Sequence, residues 1–415
     1  MRAEALGDTL YLWWLTDPQH PRCIGTLRLV RKAQTQSTGV ALRYGSDWLQ
    51  TGFALSEDLP LRDLEFLPTV PDQAVGAVDD ARPDRWGERV IRYLINPQRL
   101  STLDFLFFAG DQRFGALGVS LLQQAYVPYA HGALPVLEDV QAIHELVRQV
   151  EAGGQVPQHL ARLVSPGATL GGAKPKALLH MHGAEWVLKF ADANDHLDMG
   201  LVEHACMRLA ALAGIEVCET RPLAYQAGQH RRHALAIKRF DRHNEQRLHA
   251  VSAHVALRAA GLDYGYPEMA LLLRRLGVAS HIKTNAEQLF KRMVFNILMD
   301  NTDDHEKNHA FLWQQHALVL TPAFDVLPTN QGLGYQSIRV GKEGSVASLA
   351  NALSDHLSFG LHLQEAKALV DQVKGVTSQW QQHFAQAGVS AADIKSLAQT
   401  IRSPRDINPY LCGFL

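Results

Sequence analysis

The chain has 415 residues, of which 47% are hydrophobic and 20% charged. That is the balance of a folded globular protein and excludes a disordered or fibrous one; the length exceeds one ordinary core, so two or three packed units are expected. A formal net charge of −2 excludes bulk attraction to nucleic acid or to a membrane, leaving only a local basic patch around His230, Arg231, Arg232 and His233. Cys23, Cys206, Cys218 and Cys412 are scattered with no CxxC pair, which argues against a disulfide framework and a cysteine zinc site. The stretch MRAEALGDTLYLWWL has one arginine and too short an apolar run for a signal peptide. No stretch approaches the roughly 18 apolar residues of a membrane span, so the expected setting is a reducing cytoplasm, without membrane contact.

In chain order, LYLWWL, IGTLRLV and GVALRY read as strands. A helix follows in PDRWGERVIRYLI, with Pro83 and Asp84 near its start. FLFFAGDQRFGALGVSLL reads as a helix end, a glycine-containing turn and a strand. LEDVQAIHELVRQVEAG is a helix with Val140, Ile143, Leu146 and Val147 on one face. From about 160 to 242 the pattern changes: KALLHMHGAEWVLKF reads as two strands joined at His182-Gly183, and HALAIKRFDR as a later strand. Between them LVEHACMRLAALAGIEV is a helix with Ala205, Leu209 and Leu212 on its apolar face. After 250 helices dominate (VSAHVALRAAG, PEMALLLRRLG and most of 362–402), interrupted by one strand pair near 310–321. The expectation is an α+β, two-lobed, protein-kinase-like fold, with a β-containing N-terminal part, a mainly α-helical C-terminal lobe and a cleft between. The expected divisions are 1–125, 126–242 and 243–415.

DNTDDHEKNHAFL at 300–312 permits two chemistries. HEKNH matches the H-E-x-x-H zinc-protease pattern, which needs a helix to project both histidines at one metal. Upstream, Thr284 and Glu287 have capping-box spacing, and Phe290, Met293, Val294, Ile297 and Leu298 form an apolar stripe. That stripe stops at Asp300, and Asn301 to Asp304 prefer caps and turns. AFLW and ALVLTP then read as a hairpin, so the motif is expected in a loop between helix and hairpin. That frame suits a kinase catalytic loop, in which Asp303 receives or orients the substrate hydroxyl and Asn308 holds magnesium. TPAFDVLP then supplies Asp325 as a second oxygen ligand.

For ATP, SPGATLGGAKPK sets Gly167 and Gly172 in G-x-x-x-x-G spacing but lacks the GK[ST] of a P-loop, and Pro175 opposes an immediate helix. A glycine-rich loop feeding a strand is the kinase arrangement, with backbone N–H groups facing phosphates; a plain glycine turn is the other reading. Lys189 in WVLKF is either a strand-end lysine reaching water or, with Glu203 on the next helix, a Lys–Glu pair directed at phosphates. Backbone groups of Lys238, Arg239 and Phe240 are placed to meet the adenine.

GGAKPKALL, WVLKF, KRFDR, DNTDDHEKNHAF and TPAFDVLP resemble the HipA family, bacterial serine/threonine kinases of type II toxin–antitoxin modules. GTL, LSEDLPLR, PDRWGERV and GDQRFGALG fit that family's N-terminal domain, so the resemblance covers nearly the whole chain. It implies Asp303 as catalytic base, Lys307 near the transferred phosphate, and Asn308 and Asp325 as magnesium ligands. It places Gly171, Gly172, Ala173, Lys189, Lys238, Arg239, Phe240 and His305 around ATP, with Glu203 and Asp241 in support. The family's loop carries a serine whose autophosphorylation ejects the loop; counting back from Gly172-Ala173 sets Thr169 there, with Ser165 nearby. Such a phosphate beside Asp303 and Asp325 would be repelled unless a basic residue received it. The resemblance further implies a small helix-turn-helix antitoxin, contact with DNA mainly through it, and a translation protein such as an aminoacyl-tRNA synthetase as substrate. Two alternatives stand beside the kinase: a kinase-like binding module acting through an antitoxin–DNA complex, and a zinc hydrolase.

Overall fold

The structure is a computed structural model that describes residues 6–31, 38–154, 163, 166, 174–192, 195–314 and 317–401. Ser165, Thr169, Gly171, Gly172 and Ala173 lie outside the described residues. The chain forms two compact units, one of Met1–Ala193 with Lys238–Ala260, the other of Asn194–Ile237 with Gly261–Leu415. These boundaries cut the chain differently from the three-part division expected from sequence.

In the first unit, β1 (Thr9–Trp14), β2 (Arg22–Arg31), β3 (Thr38–Tyr44), β4 (Glu65–Phe66) and β5 (Leu117–Ser120) form an antiparallel sheet ordered β4-β3-β2-β1-β5. The three strands expected at the start of the chain are therefore present. Alternation puts Leu10, Leu12 and Trp14 on the core face with Leu27 and Leu42. Helix Thr102–Phe108 joins that core, held by a capping box between Ser101 and Asp104. Gly25 is required where β2 meets β3, since a Cβ there would lie 2.1 Å from the Arg43 carbonyl oxygen.

Helix Arg85–Val90 begins where Pro83-Asp84 announced it. Asp84 Oδ1 accepts from the Gly87 N–H at 2.8 Å, and its Oδ2 accepts from Lys176 Nζ at 2.9 Å, both side chains being buried. Trp86 Nε1 donates to the Lys176 carbonyl at 2.7 Å. A Cβ on Gly87 would lie 2.1 Å from the Pro166 carbonyl oxygen. One short helix thus grips a residue on each side of the glycine-rich stretch. Lys176 begins β6 (Lys176–Met181), which pairs with β7 (Ala184–Lys189) through His182 and Gly183, both left-handed (φ 52° and 72°) as a two-residue hairpin turn requires. Helix Val140–Glu151 buries the predicted Val140, Ile143, Leu146 and Val147.

In the second unit, helix Met199–Leu212 precedes the hairpin of β8 (Thr220–Ala227) and β9 (His230–Lys238). Ala205 and Leu209 are buried as expected, but Leu212 is 57% exposed. Spacing sets the direction of a side chain, not what packs against it: Leu209 and Ala210 in the same turn are buried, while Leu212 is left toward solvent. Helix Ile282–Leu298 packs against helices Tyr266–Leu276 and Leu363–Thr377. Its stripe of Phe290, Met293, Val294, Ile297 and Leu298 is buried. Thr284 does not cap it: a 3₁₀ turn at Ala279–His281 feeds straight into the helix, leaving Thr284 inside the first turn. Among the described residues no helix is long and apolar enough to cross a membrane.

Asp84→Ala removes both an N-cap and one half of a buried ion pair, and should cost about 3–5 kcal/mol of stability in a urea titration. Asp84→Asn, which can still cap the helix, should cost less. Asp80, half-buried and hydrogen-bonded to the N–H and hydroxyl of Ser252, has its carboxyl pushed up to about 6 by desolvation of the charged form. The folded protein therefore binds its proton more tightly than the unfolded chain, and stability should fall as pH rises from about 4 to 6. Asp80→Asn should flatten that slope in urea midpoints measured across the window.

Candidate functional site

The helix ends at Leu298, where the sequence changes from large apolar residues to polar ones, and Asp300 turns the chain in the left-handed region (φ 54°). A single 3₁₀ turn at Glu306–Asn308 follows, then the hairpin Ala310–Gln314 with Ala317–Leu320. The predicted loop between helix and hairpin is what the chain builds.

The loop is organised around Asp304, which is 2% exposed. Its Oδ1 meets His309 Nε2 at 3.0 Å, and its Oδ2 accepts from the Tyr266 hydroxyl. That hydroxyl also accepts from Asn296 Nδ2 at 3.0 Å, and Asn296 Oδ1 accepts from Asn301 Nδ2 at 3.2 Å. Burial, reinforced by the neighbouring carboxylate, raises the Tyr266 phenol well above its ordinary value and keeps it a neutral donor. None of Tyr266, Asn296, Asp304 and His309 was singled out from sequence for this role. The only local signal was the doubled aspartate followed by a histidine at the loop's end; Tyr266 and Asn296 lie on two separate helices.

With Asp304 turned inward, Asp303 is exposed and Asn308 is buried. The Asp303 carbonyl accepts from the His305 N–H at 2.8 Å and from Asn308 Nδ2 at 3.2 Å. That second bond fixes the amide so that Asn308 Oδ1 is left buried and without a hydrogen-bond partner, an arrangement that costs free energy unless a ligand meets it. A neutral, hard oxygen of this kind fits a magnesium ion. His305 is half-buried and Lys307 exposed.

Asp325 is half-buried and left-handed (φ 57°), a conformation that aspartate tolerates better than most residues. Ala323 ties its segment to Val217 by a parallel bridge, with N···O distances of 2.8 and 2.9 Å. Phe324 and Val326, on either side of it, line the same small cavity as Asp304, Asn308 and His309. The buried guanidinium of Arg292, lowered to about 10 by burial, donates to the Thr321 carbonyl and lines that cavity too. Beyond Asp325, the Thr329 N–H donates to the Asp300 carbonyl at 3.0 Å and the Ser337 hydroxyl to the Thr302 carbonyl at 2.8 Å. The second unit therefore gathers Asp303, Asn308 and the Asp325 segment around one loop.

The two histidines of HEKNH do not share a helical face, and His309 is engaged by Asp304. Among the described residues no group of three or more His, Cys, Asp or Glu side chains could hold a metal ion. The protease reading loses its geometry.

Glu203 is buried on helix Met199–Leu212 of the second unit, while Lys189 ends β7 in the first. Lys238 is exposed at the end of β9, and Phe240 is half-buried. The Arg239 N–H donates to the Glu185 carbonyl at 3.0 Å, so that backbone donor, expected at the adenine, is already committed. The Arg239 side chain turns to Asp241, with Nη2···Oδ2 at 2.7 Å. Burial works against the Asp241 charge, but Arg239 and Arg242 outweigh it and hold the carboxyl far below the usual carboxylate range.

A buried helix, a loop presenting Asp303 outward and Asn308 inward, a hairpin and a left-handed Asp325 define a protein of the α+β, kinase-like class. Residues 168–380, just over half of the chain, match the HipA-like C-terminal domain, and the chain belongs to that family. It is 25% identical over 244 residues to a protein of Sinorhizobium fredii named putative kinase Y4dM, spanning 54% of this chain and 59% of that protein's length. It is 24% identical over 328 residues to the serine/threonine-protein kinase toxin HipA of Shewanella oneidensis, spanning 69% of each. Among solved structures, a chain from the Shewanella oneidensis complex of HipA, HipB and operator DNA matches with a TM-score of 0.63 at 19% identity, covering 94% of this chain and 95% of that one. That likeness is one of fold.

Tyr266→Phe should cost about 1–3 kcal/mol in a urea titration, because it leaves the buried Asp304 short of a donor. The protein purified without chelator should carry no stoichiometric zinc by elemental analysis, and His305→Ala should leave its metal content unchanged.

Proposed function

We propose that the chain is an ATP- and magnesium-dependent serine/threonine protein kinase that acts as the toxin of a type II toxin–antitoxin module. The observation that carries this reading is Asn308: its amide nitrogen is tied to the loop backbone and its buried oxygen is left without a partner. Magnesium, when bound, would neutralise charge on the phosphate oxygens, and Asn308 and Asp325 are the residues to hold it. Asp303, exposed on the loop, receives the proton of a serine or threonine hydroxyl of the protein substrate. Lys307 lies by the transferred phosphate and Lys189 by the others, with Glu203 in support. Gly171, Gly172 and Ala173 cover the nucleotide, Lys238 to Phe240 meet its adenine, His305 sits beside it, and Asp241 supports that stretch. Residues 1–125 form the HipA-type N-terminal domain, 126–242 the smaller kinase lobe and 243–415 the helical one.

The Shewanella oneidensis likeness, in complex with HipB and operator DNA, supports a helix-turn-helix antitoxin as partner, with DNA reached mainly through it. A translation protein such as an aminoacyl-tRNA synthetase is the proposed substrate, and the cytoplasm the proposed setting. The same likeness favours one second reading, a kinase-like fold retained for assembly with an antitoxin on DNA.

Incubation with Mg-ATP followed by intact mass and peptide mapping separates the two. The wild type should gain phosphate on Thr169 or Ser165, and Asp303→Asn should gain none, since loss of a catalytic group costs orders of magnitude in rate. Equal phosphate on both proteins would sink the assignment of Asp303; none on either, with ATP still bound, would favour the assembly reading.

A further inference from the structure

We infer that the turn Asp111–Gly115, remote in sequence from every nucleotide-contacting residue, positions the stretch Lys238–Phe240, and that Arg242 is the residue through which it does so. The inference rests on the kinase reading, in which that stretch meets the adenine.

Both sides are joined through backbone groups. The Arg113 carbonyl accepts from Arg239 Nη2 and from Arg242 Nη2, each at 2.8 Å. Asp241 Oδ2 accepts from the Gly115 N–H at 2.7 Å, and the Gly115 carbonyl accepts from Arg242 Nη1 at 3.1 Å. On the opposite side Arg239 donates through its N–H to the Glu185 carbonyl and through Nη1 to Glu185 Oε2 at 3.2 Å. The Phe114 ring stands edge-on to Phe240, with centroids 5.9 Å apart.

The turn itself has little freedom. Arg113 is 0% exposed and donates to the carbonyls of Ala81, Leu106 and Gly110. Arg247 binds the Asp111 carbonyl at 2.9 Å and pairs with its carboxylate. Gly115 is left-handed (φ 70°), and a Cβ there would lie 3.2 Å from both N and O of Ala250.

Residues 239–242 are therefore clamped from two sides before any nucleotide arrives. A preformed stretch loses no backbone freedom on binding, and that saving appears as affinity. Three arginines (239, 242 and 247) pair with Asp111, Asp241 and Glu185 in this cluster, while Arg113 donates to backbone carbonyls. A core needing only cohesion would be served as well by apolar side chains. What the arginines add is direction, because a guanidinium binds two carbonyls in one plane.

The test is calorimetric titration of the full chain with Mg-ATP, alongside its melting temperature. Arg242→Lys keeps the charge but cannot bridge both carbonyls. Gly115→Ala is the second variant, displacing the turn without altering charge. Tyr44→Phe, which loses a buried hydrogen bond to the Leu59 carbonyl in the sheet, is the stability control. The inference expects Mg-ATP affinity about tenfold weaker in Arg242→Lys and Gly115→Ala, and wild-type affinity in Tyr44→Phe despite its lower melting temperature. Lowered melting temperatures with wild-type affinity in the first two would overturn it, reducing the cluster to cohesion. A wild type that binds no Mg-ATP would overturn the kinase reading, and this inference with it.

Discussion

A carboxylate almost wholly withdrawn from water is stable only if its oxygens are met by well-aligned donors. Asp304 is such a group, and the second unit is arranged to meet it. Tyr266 comes from one helix, its hydroxyl held in turn by Asn296 from another, and His309 from the far end of the loop. Because these partners leave the carboxylate one direction to point, the residue before it must face solvent. The 3₁₀ turn after it then carries Asn308 back into the interior. Asp303 and Asn308 point oppositely because Asp304 is pinned between them.

Much of this frame was legible in the sequence. The apolar stripe of Ile282–Leu298 stops at the residue where the helix stops, and the two strands after the loop fall on the short apolar runs AFLW and ALVL. The same break leaves HEKNH without the helix a zinc site needs, since Asn301 to Asp304 are poor helix formers. The anchors were not legible. Nothing local distinguishes a buried aspartate from its exposed neighbour in the pair Asp303-Asp304. The difference is made by a tyrosine 38 residues upstream, and pairing at that separation leaves no periodic trace. A cap spacing at Thr284 and an apolar position at Leu212 are local facts, while the entering 3₁₀ turn and the burial of each side chain are set by the rest of the fold.

In the first unit the comparable anchor is a group of arginines. Here the sequence showed KRFDR and GDQRFG as two separate stretches, more than a hundred residues apart. The structure joins them: Arg239 and Arg242 both reach the Arg113 carbonyl, and Asp241 receives the Gly115 N–H. Arg239, Arg242 and Arg247 pair with Asp241, Glu185 and Asp111, so the charge of each is held in place by the others.

That joining has a consequence for the order in which the protein is made. The first unit is interrupted: Lys238–Ala260 belongs to it, yet Asn194–Ile237 belongs to the other. A nascent chain that has emerged only as far as residue 193 already carries the five-stranded sheet and the turn at Asp111–Gly115. It lacks Arg239, Asp241, Arg242 and Arg247, the partners of that turn. Domains begin folding as they leave the ribosome, so the turn's carbonyls stay hydrated until some fifty further residues have been synthesised. The last step in completing the first unit thus waits on translation of its own second segment, which follows the intervening Asn194–Ile237.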